Sequence, residues 1–198
     1  MRGKFVVLEG IDGSGKTTLA RRISSAVGNA VITSEPTDGK IGAALRSGEL
    51  GDIPPAAEAL LFAADRAVHT ETIKKILDSG TWVICDRYIG STVAYQATSM
   101  GQDADWEWLI GIQKRSVIEP DVTFLLDIDP EEALRRVGER GNGTSRFERP
   151  AYLKGVRSAY LRLKDRFGYC VIDASKDADS VFADVMDIME RKGLHASK

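Results

Sequence analysis

Short apolar segments alternate with longer amphipathic stretches along this chain. Five short segments rich in Val, Ile, Leu and Phe have the length and composition of strands buried on both faces of a sheet. They span residues 5–8, 30–33, 82–85, 122–126 and 169–172. The alternation predicts an α/β fold, a doubly wound five-stranded parallel sheet.

Capping residues divide the intervening stretches into helices. Apolar residues recur at helical spacing before Gly28, Pro54-Pro55 opens a long helix that Gly80 closes, and Asp129-Pro130 supplies an N-cap and a first turn. Besides the helices that end at Gly28 and begin at Pro130, we expect helices over about 40–50, 54–79, 91–98, 103–117, 149–167 and 177–192.

The chain has the length of one domain, so we expect residues 1–198 to form a single unit. We find no repeat, low-complexity tract or linker. Residues 138–149 are rich in glycine and charge and are predicted to form a lid, and residues 193–198 a frayed tail.

Composition narrows the class of protein. Apolar residues make up 43% and charged residues 28%, as in ordinary globular domains. The net charge of −2 disfavours a nucleic-acid partner, and no apolar run approaches the roughly 20 residues of a membrane span. Cys85 and Cys170 lie in apolar runs, as small buried hydrophobes do. The apolar run after Lys4 leads into glycines that belong to the fold, which predicts no signal peptide and a cytoplasmic location.

One segment carries explicit chemistry. Residues 10–17 match G-x-x-x-x-G-K-[ST] between a strand and a helix. Glycines let backbone N–H groups surround a phosphate, Lys16 can reach the outer phosphates, and the Thr17 hydroxyl can hold Mg²⁺. The residues predicted to bind a nucleoside triphosphate are Gly10, Ile11, Asp12, Gly13, Ser14, Gly15, Lys16, Thr17 and Thr18.

Several protein classes share this glycine loop. A GTP switch needs Asn-Lys-x-Asp, but Asn29 is followed by Ala and Asn142 by Gly. The signature motifs of motor and transporter ATPases are also missing. A small phosphotransferase needs a second pocket and further cations. A non-catalytic nucleotide-binding regulator is the alternative from another class.

The chain offers candidates for that second pocket. Asp86 and Arg87 follow the third strand, at the sheet edge where α/β folds bind ligands. There they would serve as a Mg²⁺ ligand and a phosphate clamp, the alternative being a surface ion pair. Phe62 and Arg66 share a helix face on which a base could stack and be hydrogen-bonded. Two more pairs have the same spacing: Ser91 with Tyr95, and Thr92 with Gln96.

These motifs together resemble the thymidylate kinase family, the nucleoside monophosphate kinases that convert dTMP to dTDP. The resemblance covers residues 5–173. It rests on Phe5-x-x-x-Glu9-Gly10-x-Asp12-Gly13-x-Gly15-Lys16-Thr17, Glu35-Pro36-Thr37, Leu61-Phe62-x-x-Asp65-Arg66, Asp86-Arg87-Tyr88-x-x-Ser91-x-x-Ala94-Tyr95-Gln96 and Arg146-Phe147-Glu148. The segment from Asp86 to Gln96 is the most specific part.

The resemblance implies a function and a set of residue roles. The fold would be that of nucleoside monophosphate kinases with a lid. The activity would be ATP-dependent phosphorylation of dTMP with Mg²⁺, by a homodimer. Another nucleoside or small-metabolite kinase of this fold stays an alternative. In the implied site, Phe62 stacks on thymine and Arg66 bonds its O4, while Thr92 and Gln96 contact the base or its surroundings. Tyr95 disfavours ribose, and Asp12 meets the 3′-hydroxyl. The monophosphate is framed by Glu35, Pro36, Arg46 and Arg87, with Ser91 beside them.

Family members differ in where they keep a catalytic cation. Some carry an arginine inside the glycine loop after the Asp, and others place arginines in the lid. Here that loop position is Gly13, so the resemblance implies that Arg146 or Arg140 acts from the lid. They complete the catalytic set with Lys16, Arg87 and Asp12. A solvated charged loop is the alternative for this segment. The resemblance also implies a cis bond between Glu35 and Pro36.

Overall fold

The structure, a computed structural model, describes residues 2–138 and 149–195. Its five strands are β1 (Phe5–Glu9), β2 (Ala30–Ser34), β3 (Trp82–Asp86), β4 (Val122–Asp127) and β5 (Cys170–Asp173). They form one parallel sheet in the order β2-β3-β1-β4-β5. The predicted α/β class and five-stranded parallel sheet are confirmed.

Helices connect the strands. The described helices are α1 (Lys16–Val27), α2 (Lys40–Ser47), α3 (Pro55–Asp78), α4 (Ile89–Met100), α5 (Trp106–Gly111), α6 (Pro130–Gly138), α7 (Pro150–Phe167) and α8 (Ala178–Arg191), with a short 3₁₀ turn at Gly101–Asp103. Most begin and end within a few residues of the predicted positions, because local residues cap them. Asp177, for example, accepts hydrogen bonds from the backbone N–H groups of Asp179 and Ser180 at the start of α8.

The helix predicted over 103–117 is wrong in extent. Asp105 caps the start of α5 by accepting from Trp108 N, and α5 already ends at Gly111. Residues 112–116 follow as turns, in which Lys114 N donates to Gly111 O and Ser116 N donates to Gln113 O. These three-residue steps are tighter than those of an α-helix, and they leave the Gln113 side chain at the centre of the protein.

The core lies on both faces of β1, since every residue of this strand is buried. Phe5 and Val7 pack with Ile73 and Leu77 of α3. Val6 and Leu8 point the other way, into a larger cluster that includes α1 and α7. In contrast, β2 is an edge strand, and Val31 and Ile32 are about 40% exposed (39% and 40%).

The sheet order determines where chemistry can occur. Because β1 lies between β3 and β4, the glycine loop after β1 is flanked by the segments that follow β3 and β4. Open α/β sheets bind ligands at this carboxyl edge. Among the described residues, no helix is both long enough and apolar enough to cross a bilayer.

Candidate active site

The glycine loop folds around the ammonium group of Lys16. Its Nζ donates to the carbonyl oxygens of Gly10 (3.0 Å) and Ile11 (2.9 Å). The side chain is 6% exposed, and burial, with Arg87 nearby, lowers the pKa of Lys16 to about 8. The charge of Lys16 is therefore poorly solvated, and a phosphate anion would stabilise it.

Gly13 is required by the packing of the loop against α6. Its φ is 82°, and a Cβ at this position would lie 2.2 Å from the carbonyl oxygen of Ala133. A side chain here would displace the helix backbone. The position at which some relatives carry arginine therefore has no room for a side chain in this chain.

Thr17 and Asp86 meet beside the loop. The Thr17 hydroxyl donates to Asp86 Oδ2 at 2.8 Å, and Asp86 Oδ1 is buried with no hydrogen-bond partner among the described residues. Both residues line a cavity of about 290 Å³ together with Ser34 and Asp38. Carboxylate and hydroxyl oxygens with an unused lone pair fit Mg²⁺, which prefers oxygen ligands.

Arg87 holds an unusual backbone conformation next to this pair. It is the one non-glycine residue of the described chain with a positive φ (73°), a conformation that often marks functional sites. Its guanidinium donates to Asp12 Oδ1 at 2.6 Å, to the Ser91 hydroxyl at 3.2 Å and to the Tyr95 hydroxyl at 3.3 Å. Arg87 holds the pKa of Asp12 below its usual range. Burial raises the pKa of Tyr95 to about 12, so its phenol keeps its proton.

A buried carboxylate fixes the start of α4. Glu9 Oε1 accepts from the backbone N–H groups of Tyr88 (3.0 Å) and Ser91 (3.1 Å). Its Oε2 accepts from the hydroxyls of Ser91 (2.6 Å) and Tyr160 (3.1 Å). Burial raises the pKa of Glu9. Glu9 thereby takes the place of an N-cap side chain, which α4 lacks, and links β1 to α4 and α7.

A cavity of about 580 Å³ opens beside these residues, within the size range of small-molecule sites. It is lined by residues of three regions: the segment from Glu35 to Ile53, one face of α3, and the start of α4. Those that the sequence predicts to bind substrate all line it: Glu35, Pro36, Arg46, Phe62, Arg66, Arg87, Ser91, Thr92, Tyr95 and Gln96, together with Asp12.

Arg66 is held rigidly at the inner wall of this cavity. It is 1% exposed; its Nε donates to Glu35 Oε2 at 2.8 Å, and a second nitrogen donates to Thr92 Oγ1 at 2.8 Å. A third nitrogen donates to Gln113 Oε1. Glu35 is bound in turn by His69 at 2.9 Å. A guanidinium bound on three sides cannot turn, so its remaining N–H groups keep a fixed direction.

The predicted residues differ in where their side chains are directed. Glu35 and Thr92 bind Arg66, and Ser91 binds Glu9. Arg46 donates to the Pro36 carbonyl oxygen and to Asp38. The Glu35–Pro36 bond is cis, as expected. Arg140 and Arg146 lie outside the described residues.

A smaller cavity of about 230 Å³ borders the other predicted nucleotide-binding residues. Gly13, Ser14, Gly15 and Thr18 line it together with Arg22, Arg136, Lys176 and Asp177. The Arg136 guanidinium donates to the carbonyl oxygens of Ala174 and Ser175. Cationic side chains at a helix N-terminus suit an anionic or nucleotide ligand.

Sequence reasoning assigned no role to three residues that shape the site. Glu58 lines the cavity and accepts from Gln96 Nε2 at 3.0 Å. Its position one turn before Phe62 on α3 is a signal that would have identified it. Glu9 belongs to the glycine-loop motif, but its role as a cap depends on α4, far along the chain. Gln113 lies in a turn where the sequence predicts helix, and nothing local points to Arg66.

Comparisons with known proteins show which family this chain is similar to. A family model described as thymidylate kinase matches residues 8–185. A probable thymidylate kinase of Methanococcoides burtonii is 42% identical over 193 residues, 94% of this chain and 96% of that protein. The thymidylate kinase of Brachyspira hyodysenteriae is 34% identical, covering 98% and 97%. A solved thymidylate kinase structure from Candida albicans has a TM-score of 0.87 at 25% identity, covering 98% of this chain and 94% of that one.

Proposed function

Since this chain belongs to the thymidylate kinase family and is an enzyme that phosphorylates dTMP to dTDP, we propose that the 580 Å³ cavity binds dTMP and that the glycine loop binds ATP with Mg²⁺. The observation that carries this proposal is the set of side chains that line the 580 Å³ cavity. This cavity joins an aromatic ring, a fixed cation and an amide acceptor without a partner among the described residues to Asp12 and Arg87, next to the glycine loop.

The base site is built from Phe62, Arg66 and Gln96. The Phe62 ring stacks on thymine, and Arg66 donates to O4. Gln96 Oε1, a buried acceptor without a partner among the described residues, accepts from N3–H. Thr92 contributes by holding the Arg66 guanidinium. Adenine presents the reverse pattern, an amino donor beside a bare N1 acceptor. Guanine shares the acceptor and the N–H donor of thymine, so its larger two-ring system is what disfavours it.

The sugar and the monophosphate lie towards the glycine loop. Asp12 accepts from the 3′-hydroxyl, and the Tyr95 ring occupies the space that a 2′-hydroxyl would need. Arg87 binds the monophosphate and gives up part of its contact with Asp12. Arg46, beside the Pro36 carbonyl, supplies a second cation to the same phosphate.

ATP is held by the loop and its flanking residues. Backbone N–H groups and the start of α1 surround the phosphates, and Lys16 turns from the Gly10 and Ile11 carbonyls to the outer phosphates. Thr17 and Asp86 hold Mg²⁺, which neutralises phosphate charge when bound. The smaller cavity beside Thr18 takes the rest of the nucleotide.

Phosphoryl transfer depends on the alignment of the two nucleotides and on charge neutralisation more than on covalent catalysis. A dTMP phosphate oxygen forms the new bond to the γ-phosphorus, in line with the bond that breaks to release ADP. Lys16 and Arg87 balance the charge of the phosphoryl group. We assign Arg146, and Arg140 beside it, the further cation that the loop lacks at Gly13. We assign residues 138–149, most of which lie outside the described residues, the role of a lid that excludes water.

An exposed apolar face on α3 supports a proposal for the assembly. Leu60 is 51% exposed and Val68 is 65% exposed, and Ala56 and Ala64 lie on the same face. A long helix with an apolar exposed face suits pairing with the same helix of a second copy. We therefore assign the enzyme to a homodimer. Its free cysteines, Cys85 and Cys170, suit a cytoplasmic location.

The experiment that tests this function measures ADP release from Mg·ATP with a panel of acceptors. dTMP should be the best acceptor, dUMP weaker, and AMP and GMP inactive. Equal turnover of AMP or GMP would refute the proposed base site. Turnover of small alcohols instead of monophosphates would favour another kinase of this fold. If no acceptor led to ADP release, the result would favour a nucleotide-binding protein without kinase activity.

Two sets of variants separate binding from transfer. Arg146→Ala should lower kcat with little change in the KM for dTMP, because the cation acts in the closed state. Arginine fingers are worth about 10³–10⁵ in turnover, and with arginines sharing the charge we expect a loss at or below about 10³. Arg66→Ala should mainly raise the KM for dTMP. Near wild-type kcat in both Arg146→Ala and Arg140→Ala would refute the lid assignment.

A further inference from the structure

The base cavity contains a carboxylate that the proposed contacts leave without a role. Glu58 lies on α3, is 9% exposed and lines the cavity. Its Oε2 accepts a 3.0 Å hydrogen bond from Gln96 Nε2. Gln96 is 1% exposed, and its Oε1 has no hydrogen-bond partner among the described residues. One end of this amide is therefore fixed and the other is left for a ligand.

A neighbouring carboxylate determines which way such an amide points. A carboxylate can only accept hydrogen bonds, whereas the two ends of an amide have nearly the same shape but opposite roles. A half-turn of the Gln96 amide would bring Oε1 against Glu58 Oε2, two acceptors with no proton between them. Burial makes this arrangement costly. The donor end of Gln96 therefore stays on Glu58.

We propose that Glu58 sets the base selectivity of this enzyme by holding Gln96 with its acceptor end towards the base. The inference rests on the proposed base site. Thymine and uracil carry N3–H, a donor, beside the O4 acceptor. Cytosine carries a bare N3, an acceptor, beside a 4-amino group. A fixed acceptor pairs with 4-oxopyrimidines and opposes 4-aminopyrimidines, so Glu58 is a positioning residue for specificity.

The decisive variant is Glu58→Gln, which keeps the shape and removes the acceptor-only character. An amide at position 58 can pair with Gln96 in either orientation, so Gln96 can turn its donor towards the base. The ratio of kcat/KM for dTMP to that for dCMP should then fall by about tenfold or more, since the mismatch between two acceptors is relieved. Some selectivity remains, because Arg66 still opposes the 4-amino group.

A double variant tests orientation directly. In Glu58→Gln combined with Gln96→Glu, the new carboxylate at position 96 accepts from the amide at position 58 and again offers only acceptors to the base. The dTMP preference should return towards that of the wild type. Glu71→Gln on the exposed face of α3 is the matched control and should leave the ratio unchanged.

The outcomes separate this inference from the proposed function. An unchanged dTMP to dCMP ratio in Glu58→Gln, with an active wild type, overturns the inference alone. A lowered ratio that the double variant does not restore also counts against it, because it indicates damage and not orientation. A wild type inactive on dTMP refutes the function itself. Should Glu58→Gln unfold, calorimetric binding of dTMP and dCMP to Glu58→Ala must show the same loss of preference.

Discussion

At the scale of single residues, burial makes the charges of this site sensitive to what binds. Lys16 donates to the Gly10 carbonyl oxygen and Arg87 donates to Asp12, and the charges of Lys16, Arg87 and Asp12 influence one another. Arg87 lowers the pKa of Asp12, whereas burial lowers the pKa of Lys16. The carboxylate therefore keeps its charge throughout the neutral range. The lysine loses its charge within reach of physiological pH unless a phosphate compensates it.

ATP binding should therefore weaken at alkaline pH. With a pKa of about 8 in the free enzyme, Lys16 is charged below pH 8 and neutral above it. A bound triphosphate favours the charged form, so binding takes up a proton above pH 8 and affinity falls by up to about tenfold per pH unit. Calorimetry in buffers of different ionisation enthalpy measures this uptake. Lys74→Gln, at an exposed lysine, should behave as wild type, and no proton uptake near pH 9 would contradict the assignment.

Tyr95 provides a test of sugar selection. Its hydroxyl lies at hydrogen-bond distance from Arg87 and Asp12, beside the proposed sugar position. Tyr95→Ala should narrow the preference for dTMP over the ribose form, because the ring no longer excludes a 2′-hydroxyl. Tyr95→Phe keeps most of the ring volume and should keep most of the preference. The measurement is kcat/KM for both nucleotides, and an unchanged ratio in Tyr95→Ala would assign the role to another residue.

At the scale of elements, α4 carries four residues that line the cavity, and the start of this helix depends on close packing. Ser91, Thr92, Tyr95 and Gln96 all belong to its first two turns. The start of the helix lies against Glu9, which caps it, and against Tyr169. Gly90 makes this approach possible, because a Cβ there would lie 2.4 Å from the Tyr169 hydroxyl and 2.8 Å from Glu9 Oε1.

Gly90→Ala should therefore destabilise the protein although alanine favours helices. The overpacking costs about 1–3 kcal/mol and exceeds the gain in helix propensity. Gly111→Ala is the matched control, since a Cβ at that helical glycine meets nothing within 4 Å. Denaturant unfolding measures both. Equal midpoints for the two variants would show that the start of α4 is not packed as described.

At the scale of the whole molecule, the proposed homodimer rests on the exposed face of α3. The opposite face of the same helix carries Arg66 and Glu58, which line the cavity. Pairing of the two helices would therefore stabilise the position of α3 and of these two residues. This arrangement gives the exposed apolar residues a function that the isolated chain does not provide.

Charge on that face should separate the dimer. Leu60→Glu and Val68→Glu each place a carboxylate where Leu60 is 51% and Val68 65% exposed in the single chain. Pairing would desolvate that charge, so both variants should sediment as monomers. Val171→Glu, at a residue 43% exposed on β5, is the control and should remain dimeric. A dimeric Leu60→Glu and Val68→Glu pair would refute this interface.

The sheet, the glycine loop and many of the residues that line the 580 Å³ cavity could be predicted from the sequence alone. These depend on local signals: short apolar runs, capping residues, and spacings such as that of Phe62 and Arg66 on one helix face. The resemblance to a family added roles to these residues. The ends of helices are predicted less well where turns replace the helix, as they do after Gly111.

Only the tertiary structure decided how the site residues are held. Gln113 reaches Arg66 across 47 residues, and Glu9 caps a helix 82 residues away at Ser91. The same is true of Gly13, whose need for glycine comes from the backbone of α6, and of Gln96, whose orientation comes from Glu58 on another helix. Burial makes an unpaired polar group costly, so most buried polar groups have partners. Which partner each one meets is set by the strand order and not by the neighbouring sequence.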